Sequence, residues 1–561
     1  MKKIYYLKTL LRLVIPFLVL SGCKKDFLAK PPTDSIVDAS FYKTDEQVLA
    51  GTDLLYSKVW FDYNDKASYN LGDFRSGTTY SAYNDRGNVL FNTTELTPEN
   101  DAAWRSFFVV VGQSNLAIHN INTYAGPGVS ARVKKIAIAE ARFMRALAYR
   151  YLTMNWGDVP VIEDNIALLN DTSLTRNTSK SVWRFITREM RAVAADLPET
   201  PIQVGRISKW SAEGMLARFY LTRAGVESTG GTRNQVFLDS AKYYAQRVIN
   251  NSGRALLKNY EDLFKYPYDN NSESLFELQW VALPSGEYGV GNSAPSYLNY
   301  SPDMSVEGWG GDKGATWWML SQYEGFTASG DTMLQGRTLD QRLKATYMLP
   351  GAYYPEITET LNGVNQKLTF PYANQDVNFA SVKKYVVGGK DPGDLNLGFQ
   401  VKQQCYPNNT YMLRLAEMYL IYAEAVLGNN TSTNDATALA YFNKVHTRSG
   451  LAEHPAPLTL DDILKERFIE FAMESMGWYD LVSLHYYDPT KAYSILNSQD
   501  RGYFKVIPDV FPNPTQWTIK KTPWATTDRK INANSGNFLL PIPATQKSQS
   551  PNLSKPAVDY P

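Results

Sequence analysis

The sequence predicts a mainly α-helical fold, with helix pairs of the tetratricopeptide kind forming a scaffold and an irregular, loop-rich region inserted in it. Three observations support this prediction: helical periodicity in several separate stretches, small residues along those helices, and a long middle segment without regular periodicity. A short N-terminal segment of a different character precedes the helical part.

Residues 1–22 have the pattern of a secretory signal peptide. A basic start is followed by an apolar run from Leu13 to Leu20, which is shorter than the roughly 20 residues needed to span a bilayer. The run ends in Leu-Ser-Gly before Cys23, which resembles the lipobox of bacterial lipoproteins. We therefore expect a lipid on Cys23, followed by a polar tether over residues 23–33. An ordinary signal peptide with a chance cysteine is the alternative.

Composition excludes some partners for the remaining chain. Residues 1–22 hold four basic and no acidic residues, so the 57 basic and 56 acidic residues of the whole chain become 53 and 56. A net charge near −3 argues against nucleic acid, whose phosphates require a basic surface. Cys405 is the one cysteine left after Cys23, so no disulfide within the chain is expected.

Helical periodicity begins clearly at Ile136–Leu152, where apolar residues recur at intervals of three and four. Gly157 and Pro160 then predict the end of this helix. Similar apolar stripes occupy 182–193, 215–220, 415–426 and 464–472. Together they predict a helical scaffold over about 100–250 and 405–485.

The stretch from about 255 to 405 interrupts this scaffold. It is rich in glycine and aromatic residues and has little periodicity, and long irregular segments of compact proteins often carry function. Its aromatic density argues against disorder. We expect residues 34–561 to form a single domain with this insertion inside it.

No motif for catalysis or metal binding stands out. The four histidines are scattered without the spacing of a zinc site, and there is neither a P-loop nor a G-x-S-x-G elbow. We therefore predict no catalytic residue, no metal and no cofactor. Aromatic residues make up 13% of the chain, and their flat faces suit sugar rings as well as cores and interfaces.

Several strings together resemble the SusD/RagB family of outer-membrane nutrient-binding lipoproteins. They occur in family order along nearly the whole chain after Cys23. They include Ala139–Tyr149 followed by Trp156–Pro160, Gly205–Lys209, Asn271–Glu277, Arg414–Leu420, Trp478–Leu481 and Leu540–Pro543.

The resemblance implies a SusD-like helical scaffold whose irregular region holds the ligand. It also implies a lipid-anchored protein of the outer membrane, facing the cell exterior, that captures oligosaccharide for a SusC-type TonB-dependent transporter. The alternatives are a peptide-binding member of the family, a structural adaptor without a ligand, or a surface glycosidase.

Two parts of the chain supply candidate ligand-binding residues. In the irregular region, Trp309, Trp317 and Trp318 are expected either to form a sugar platform or to lie in a core or interface, and Tyr288 shares that setting. In the early loop, which contributes to the pocket in the resembling family, the candidates are Asp73, Arg75, Tyr80 and Tyr83. Asp73 and Arg75 would bond sugar hydroxyls, with turn capping as the alternative for Asp73.

Overall fold

The computed structural model describes residues 41–83, 86–168, 173–305, 307–335, 340–371, 380–523 and 529–561. The predicted signal peptide, the lipidated Cys23 and the tether lie outside these ranges. Within them, no helix combines the length and the apolar character that crossing a membrane requires.

Helices dominate the structure, as the sequence predicts. Those of nine residues or more in the described ranges are α1 (Asp45–Asp53), α2 (Pro98–Tyr124), α3 (Ala131–Trp156), α4 (Ser179–Asp196), α5 (Lys209–Val226), α6 (Gln235–Asn251), α7 (Leu415–Leu427), α8 (Ala436–Arg448), α9 (Leu460–Glu470), α10 (Gly477–His485) and α11 (Pro489–Ser498). Shorter helices cover Arg86–Leu90, Ala294–Leu298, Trp317–Leu320, Arg342–Thr346 and Ala544–Gln549, and two π-helical turns cover Tyr63–Ala67 and Asn70–Phe74.

The boundaries of α3 show how local sequence sets a helix. The Ser130 side chain accepts a hydrogen bond from the amide of Val133, which caps the first turn. The helix ends at Gly157, whose φ of 75° is a conformation that glycine adopts readily. The periodicity over Ile136–Leu152 therefore predicted a helix correctly, and the stop at Gly157 is confirmed.

Consecutive long helices pack against one another. Helix α2 packs on α3, α3 on α4, α4 on α5, α5 on α6, α6 on α7 and α7 on α8. Contact mainly between neighbours in sequence is typical of helical repeat proteins. Alanines such as Ala141, Ala146 and Ala148 of α3 are fully buried, which allows close approach of the adjoining elements. The specific tetratricopeptide geometry and the single-domain boundaries stay predictions.

Strands are short and lie mostly in the irregular region. They are β1 (Thr79–Ser81), β2 (Ser274–Leu278), β3 (Lys313–Ala315), β4 (Phe326–Ser329), β5 (Thr332–Gln335), β6 (Tyr347–Met348), β7 (Tyr353–Leu361), β8 (Val364–Thr369), β9 (Ser381–Val382), β10 (Thr410–Arg414), β11 (Ser432–Thr433), β12 (Leu458–Thr459), β13 (Phe504–Pro508) and β14 (Trp517–Lys521). The larger sheets have the orders β1-β3-β9-β6 and β13-β14-β5-β4, and all the pairs in them are antiparallel.

The described residues form two large hydrophobic cores and two small hydrophobic clusters. The larger core is built mainly by the long helices, and the second by the short strands and loops of the irregular region. Trp318 packs against both of them. The irregular region is thus a packed structure with a buried interior, as its aromatic density predicts.

Charged residues of the alanine-rich helices form buried or partly buried ion pairs. Arg142 and Arg145 of α3 both donate to the carboxylate of Glu189. On α7, Glu417 pairs with Arg218 and Glu424 with Arg233. The pairs made by Glu189 and Glu417 join helices, whereas Arg233 lies just before α6. These charged residues therefore have structural positions.

Candidate functional site

An open cleft of about 550 Å³ lies at the surface of the irregular region. Two aromatic side chains, two glutamines and a carboxylate dominate its lining, which consists of Tyr288, Pro302, Glu307, Gly308, Trp309, Gln403 and Gln404. A concave site with apolar faces and a few polar groups is the usual form of a small-ligand site.

The Trp309 side chain is held by contacts with neighbouring residues but is partly exposed in the cleft. Its ring meets the edge of Tyr297 at a centroid distance of 4.9 Å, and its backbone amide donates to the carbonyl of Ser296 at 3.0 Å. The Nζ atom of Lys313 lies 5.0 Å from the ring centroid, within cation–π range. Even so, 38% of the residue is exposed. The ring is therefore a preformed apolar surface in the cleft.

The backbone around Trp309 leaves no room for larger neighbours. A Cβ atom at Gly308 would lie 2.7 Å from the carbonyl oxygen of Ser301, and one at Gly310 would lie 2.4 Å from the carbonyl carbon of Leu298. Glycine on both sides allows the chain to pass this close to the underlying backbone.

Tyr288 supplies the second aromatic face. Its hydroxyl donates to Oδ2 of Asp65 at 3.0 Å, and its ring packs edge-on against Phe61 with centroids 4.9 Å apart. Burial of the hydroxyl end and the nearby Asp65 charge raise the pKa of Tyr288, so this hydroxyl stays neutral. The residue is nevertheless 51% exposed. Both aromatic rings of the cleft are thus held in place by packing on one side only.

Gln403 and Gln404 are site residues that the sequence did not indicate. Both have left-handed backbone conformations, with φ of 48° and 54°, which are uncommon for residues other than glycine and asparagine. The Oε1 atom of Gln404 is buried and has no hydrogen-bond partner among the described residues. Backbone strain and an unpaired buried acceptor both concentrate at functional sites.

Charges around the cleft are mixed in sign. Glu307 lines it, and Asp65 lies behind Tyr288. Lys66 is half-exposed, and its Nζ atom lies 3.9 Å from Asp65 and 5.6 Å from the ring centroid of Trp309. Lys313 is buried and bonded to Asp312 at 2.6 Å. These groups are three carboxylates and two lysines, so the cleft has no excess of positive charge that would favour an anionic ligand.

Tyr83 is the third exposed aromatic among the predicted residues, with 60% of its surface accessible. It directly follows β1, which pairs with β3, and the amide of Ala82 donates to the carbonyl of Asp312 at 2.9 Å. Strand pairing therefore brings the chain next to Tyr83 close to the segment that carries Trp309, although Tyr83 is not among the residues that line the cleft. Because the two segments are far apart in the sequence, their proximity could not be predicted from it.

Asp73 and Arg75 correct the prediction for the early loop, because both side chains are buried. Asp73 accepts hydrogen bonds from the amides of Met473 at 2.8 Å and Ser475 at 3.0 Å. Arg75 donates to the carbonyl of Phe538 at 2.6 Å. Both residues fasten the early loop to the C-terminal third of the chain and present no surface to a sugar.

Two of the predicted aromatic residues are also buried, and a third is largely covered. Tyr80 packs edge-on against Tyr503, and Trp317 lies in the second core near Phe504. Trp318 is partly buried between the two cores and packs on Phe468. For Tyr80 the expectation of direct ligand contact is corrected, and Trp317 and Trp318 take the core position that was one of their two alternatives.

The burial of Asp73 has a consequence for stability. Burial raises the pKa of its carboxyl group to about 7, although the hydrogen bonds from Met473 and Thr78 act in the opposite direction. The folded state therefore holds this proton more tightly than the unfolded chain between about pH 4 and pH 7. Its contribution to the free energy of unfolding should fall as pH rises through this window, by at most about 1.4 kcal/mol per pH unit.

An Asp73→Asn variant should lose this part of the pH dependence. The measurement is urea unfolding of both proteins at half-unit steps from pH 4 to pH 7.5. The exposed Asp239 on α6 provides the control, because Asp239→Asn should keep the wild-type slope. If the unfolding free energies of the wild type and of Asp73→Asn change with pH in parallel, the predicted contribution of Asp73 is wrong.

No group of three or more histidine, cysteine, aspartate or glutamate side chains that could hold a metal ion occurs in the part of the chain that the structure describes. Cys405 is buried, and its Sγ atom lies 3.4 Å from the carbonyl oxygen of Val281. The chemistry that the cleft displays is stacking and hydrogen bonding.

Comparison with known proteins adds to this picture. A sequence profile described as the SusD family matches residues 272–560, which is more than half of the chain. A second profile, described as starch-binding and associating with the outer membrane, matches residues 27–221. Neither description names an enzyme.

Individual relatives cover the whole chain. A SusD-like protein of Bacteroides ovatus is 37% identical over 571 aligned residues, covering 100% of this chain and 99% of the relative. A protein whose crystal structure was determined with a xylogluco-oligosaccharide superimposes with a TM-score of 0.78 at 35% identity, covering 92% of this chain and 99% of that one.

A third match shows the fold alone. A laminarin-binding SusD-like protein aligns with a TM-score of 0.64 at 22% identity, covering 91% of this chain and 98% of that one. The helical architecture, the profile over the C-terminal half and the full-length relative agree, and the chain belongs to the SusD family.

Proposed function

We propose that this protein is a cell-surface lipoprotein that binds an uncharged oligosaccharide in the cleft and passes it to a SusC-type TonB-dependent transporter of the outer membrane. Binding is its whole role, without chemistry on the sugar. A lipid on Cys23 holds it to the membrane, with the body facing the exterior.

The observation that carries this proposal is the pair of exposed rings, Tyr288 and Trp309, in a cleft that is also lined by polar side chains, namely Glu307, Gln403 and Gln404. A sugar ring has apolar C–H faces that pack on aromatic rings, and hydroxyl groups that seek acceptors. The cleft offers both partners in a fixed arrangement. Because positive charge is not in excess around the cleft, a neutral glycan suits it better than an anionic one.

The comparisons support the same class of ligand. The 35% identical neighbour was crystallised with a xylogluco-oligosaccharide, and a starch-binding protein SusD of Bacteroides thetaiotaomicron is 32% identical over 154 residues. The description of the N-terminal profile associates such chains with the outer membrane. The transporter partner and the outward orientation come from the family resemblance.

Calorimetry against a panel of neutral oligosaccharides tests the proposal. Xylogluco-, laminari- and malto-oligosaccharides are titrated into the purified protein, with an oligogalacturonate as the charged control. We expect binding of at least one neutral glycan and not of the charged one. Failure of all neutral glycans at millimolar concentration would contradict the proposal, and new reducing ends after incubation would indicate a glycosidase instead.

In cells, Cys23→Ser should release the protein from the membrane fraction.

Gln404 allows a test of the polar part of the site. Replacing it with leucine removes the acceptor, so affinity for the bound glycan should fall about 2- to 13-fold, the worth of one hydrogen bond of about 0.5–1.5 kcal/mol. Stability of the free protein should not fall, because the Oε1 atom has no partner to lose. Calorimetry and thermal unfolding measure the two effects.

A purely structural role for Gln404 predicts the reverse outcome, with lower stability and unchanged affinity. Lys402→Leu serves as the matched control. Lys402 is exposed on the same loop and is not among the residues lining the cleft.

A further inference from the structure

A small polar cavity lies among the long helices and shares no lining residue with the cleft. Its volume is about 20 Å³, enough for one water molecule or one monatomic ion and too small for phosphate, sulfate or a carboxylate group. The charged residues that line it come from five helices: Arg150 of α3, Arg218 of α5, Glu417 and Glu424 of α7, Arg467 of α9 and Asp480 of α10.

Arg150 has no carboxylate of its own in this cavity. It is 2% exposed, and its Nε and Nη1 atoms have no hydrogen-bond partner among the described residues. Its guanidinium lies over the rings of Tyr151 and Tyr479, at 5.0 and 4.7 Å from their centroids. Burial, and next the nearby charge of Arg218, lower the pKa of Arg150. The two tyrosine rings do not satisfy the N–H groups at Nε and Nη1 of Arg150.

The carboxylates around the cavity are already bound by the other arginines. Glu417 accepts from Arg218 Nε at 2.9 Å, and Asp480 accepts from Arg467 Nη2 at 2.7 Å. Arg467 nevertheless has a buried Nη1 atom without a partner among the described residues. A third carboxylate in the lining, Glu424, pairs with Arg233, which is not a lining residue.

When Arg233 is counted with its partner Glu424, the cluster has four arginines and three carboxylates, which leaves one positive charge uncompensated. An unpaired buried charge is costly, and removing a partner from a buried pair destabilises proteins by about 3–5 kcal/mol. A water molecule would satisfy the free N–H groups but would leave the charge. A small anion satisfies both requirements.

We propose that this cavity binds a single chloride ion, held by the free N–H groups of Arg150 and Arg467, as a structural ligand of the helical scaffold. The ion completes the charge balance where five helices converge. It acts on the stability of the scaffold, and sugar binding in the cleft does not depend on it.

Bromide gives the direct test, because it substitutes for chloride and scatters X-rays anomalously. Crystals of the wild-type protein grown without chloride and soaked in sodium bromide should show an anomalous peak within hydrogen-bonding distance of Arg150. A peak at that place only at molar bromide would mean an adventitious ion only and would overturn the proposal, as would no peak.

Thermal unfolding tests the linkage in solution. At constant ionic strength, replacing gluconate with chloride should raise the midpoint by about 2 to 3 °C when chloride reaches 100 times its dissociation constant. An Arg150→Met variant should show no such rise. Because this variant retains the packing volume of the side chain, it should fold, and Arg150→Lys provides a second variant with a weakened rise.

Arg501 is the matched control. It is equally buried and its pKa is lowered by the same cause, but it donates to the carbonyls of Phe74, Val89 and Arg75 at 2.7–3.0 Å. An Arg501→Lys variant should lose stability and keep the full chloride dependence. Equal chloride dependence in the Arg150→Met variant would overturn the proposal.

Discussion

Replacing Trp309 with alanine is expected to weaken glycan binding about 5- to 150-fold. The range corresponds to about 1–3 kcal/mol, the loss measured when an aromatic side chain that stacks on a base is truncated. Trp309 should lie in the upper half of this range, because its exposed face is large and already fixed by Tyr297 and Lys313. Calorimetry with the best ligand of the panel measures the change.

The partner variant Tyr288→Ala should weaken binding as well, by a smaller factor, since its ring is smaller. Tyr243 supplies the control for an exposed tyrosine, because it is 54% exposed on α6 and does not line the cleft. Tyr243→Ala should leave the affinity unchanged. If Trp309→Ala binds as the wild type does, the sugar platform lies elsewhere.

Replacing Arg414 with methionine should cost about 3–5 kcal/mol of unfolding free energy. The guanidinium is buried and donates to the carboxylates of Glu273 at 2.8 Å and Glu470 at 2.5 Å, and its Nε atom donates to Glu474 at 2.8 Å. Methionine keeps much of the volume but leaves these carboxylates with less positive charge around them. Urea unfolding monitored by circular dichroism gives the measurement.

A surface pair provides the reference for this effect. Lys135 and Asp196 form an ion pair at 2.8 Å in which the lysine side chain is 58% exposed. Exposed pairs contribute about 0–1 kcal/mol, so Lys135→Met should change stability little. A loss below about 1 kcal/mol for Arg414→Met would show that the network is not needed for the fold.

The helices were predicted well because the sequence features that define them lie within a few residues of one another. The apolar spacing of Ile136–Leu152, the cap at Ser130 and the stop at Gly157 all act within a few residues. The irregular region was identified by the absence of such periodicity, and the aromatic residues within it include both rings of the cleft.

The burial of individual residues could not be predicted in the same way. Asp73 is enclosed because its acceptors face amides 400 residues later in the chain, at Met473 and Ser475. Trp317 and Trp309 both lie in the irregular region, yet Trp317 faces a core and Trp309 faces the cleft. Gln404 carries no signal at all, because its importance depends on a backbone conformation and on neighbours far away in sequence.

The glycines on either side of Trp309 have a consequence for reading other sequences. Any chain that keeps this tryptophan in the same position must also keep residues without a Cβ atom on both sides, because the backbone beneath admits nothing larger. If Trp309 is the sugar platform that we propose, a tryptophan between two glycines at this place would mark the same platform in a relative that is known only by its sequence. Relatives that lack this tripeptide are expected to present their ligand with a different side chain.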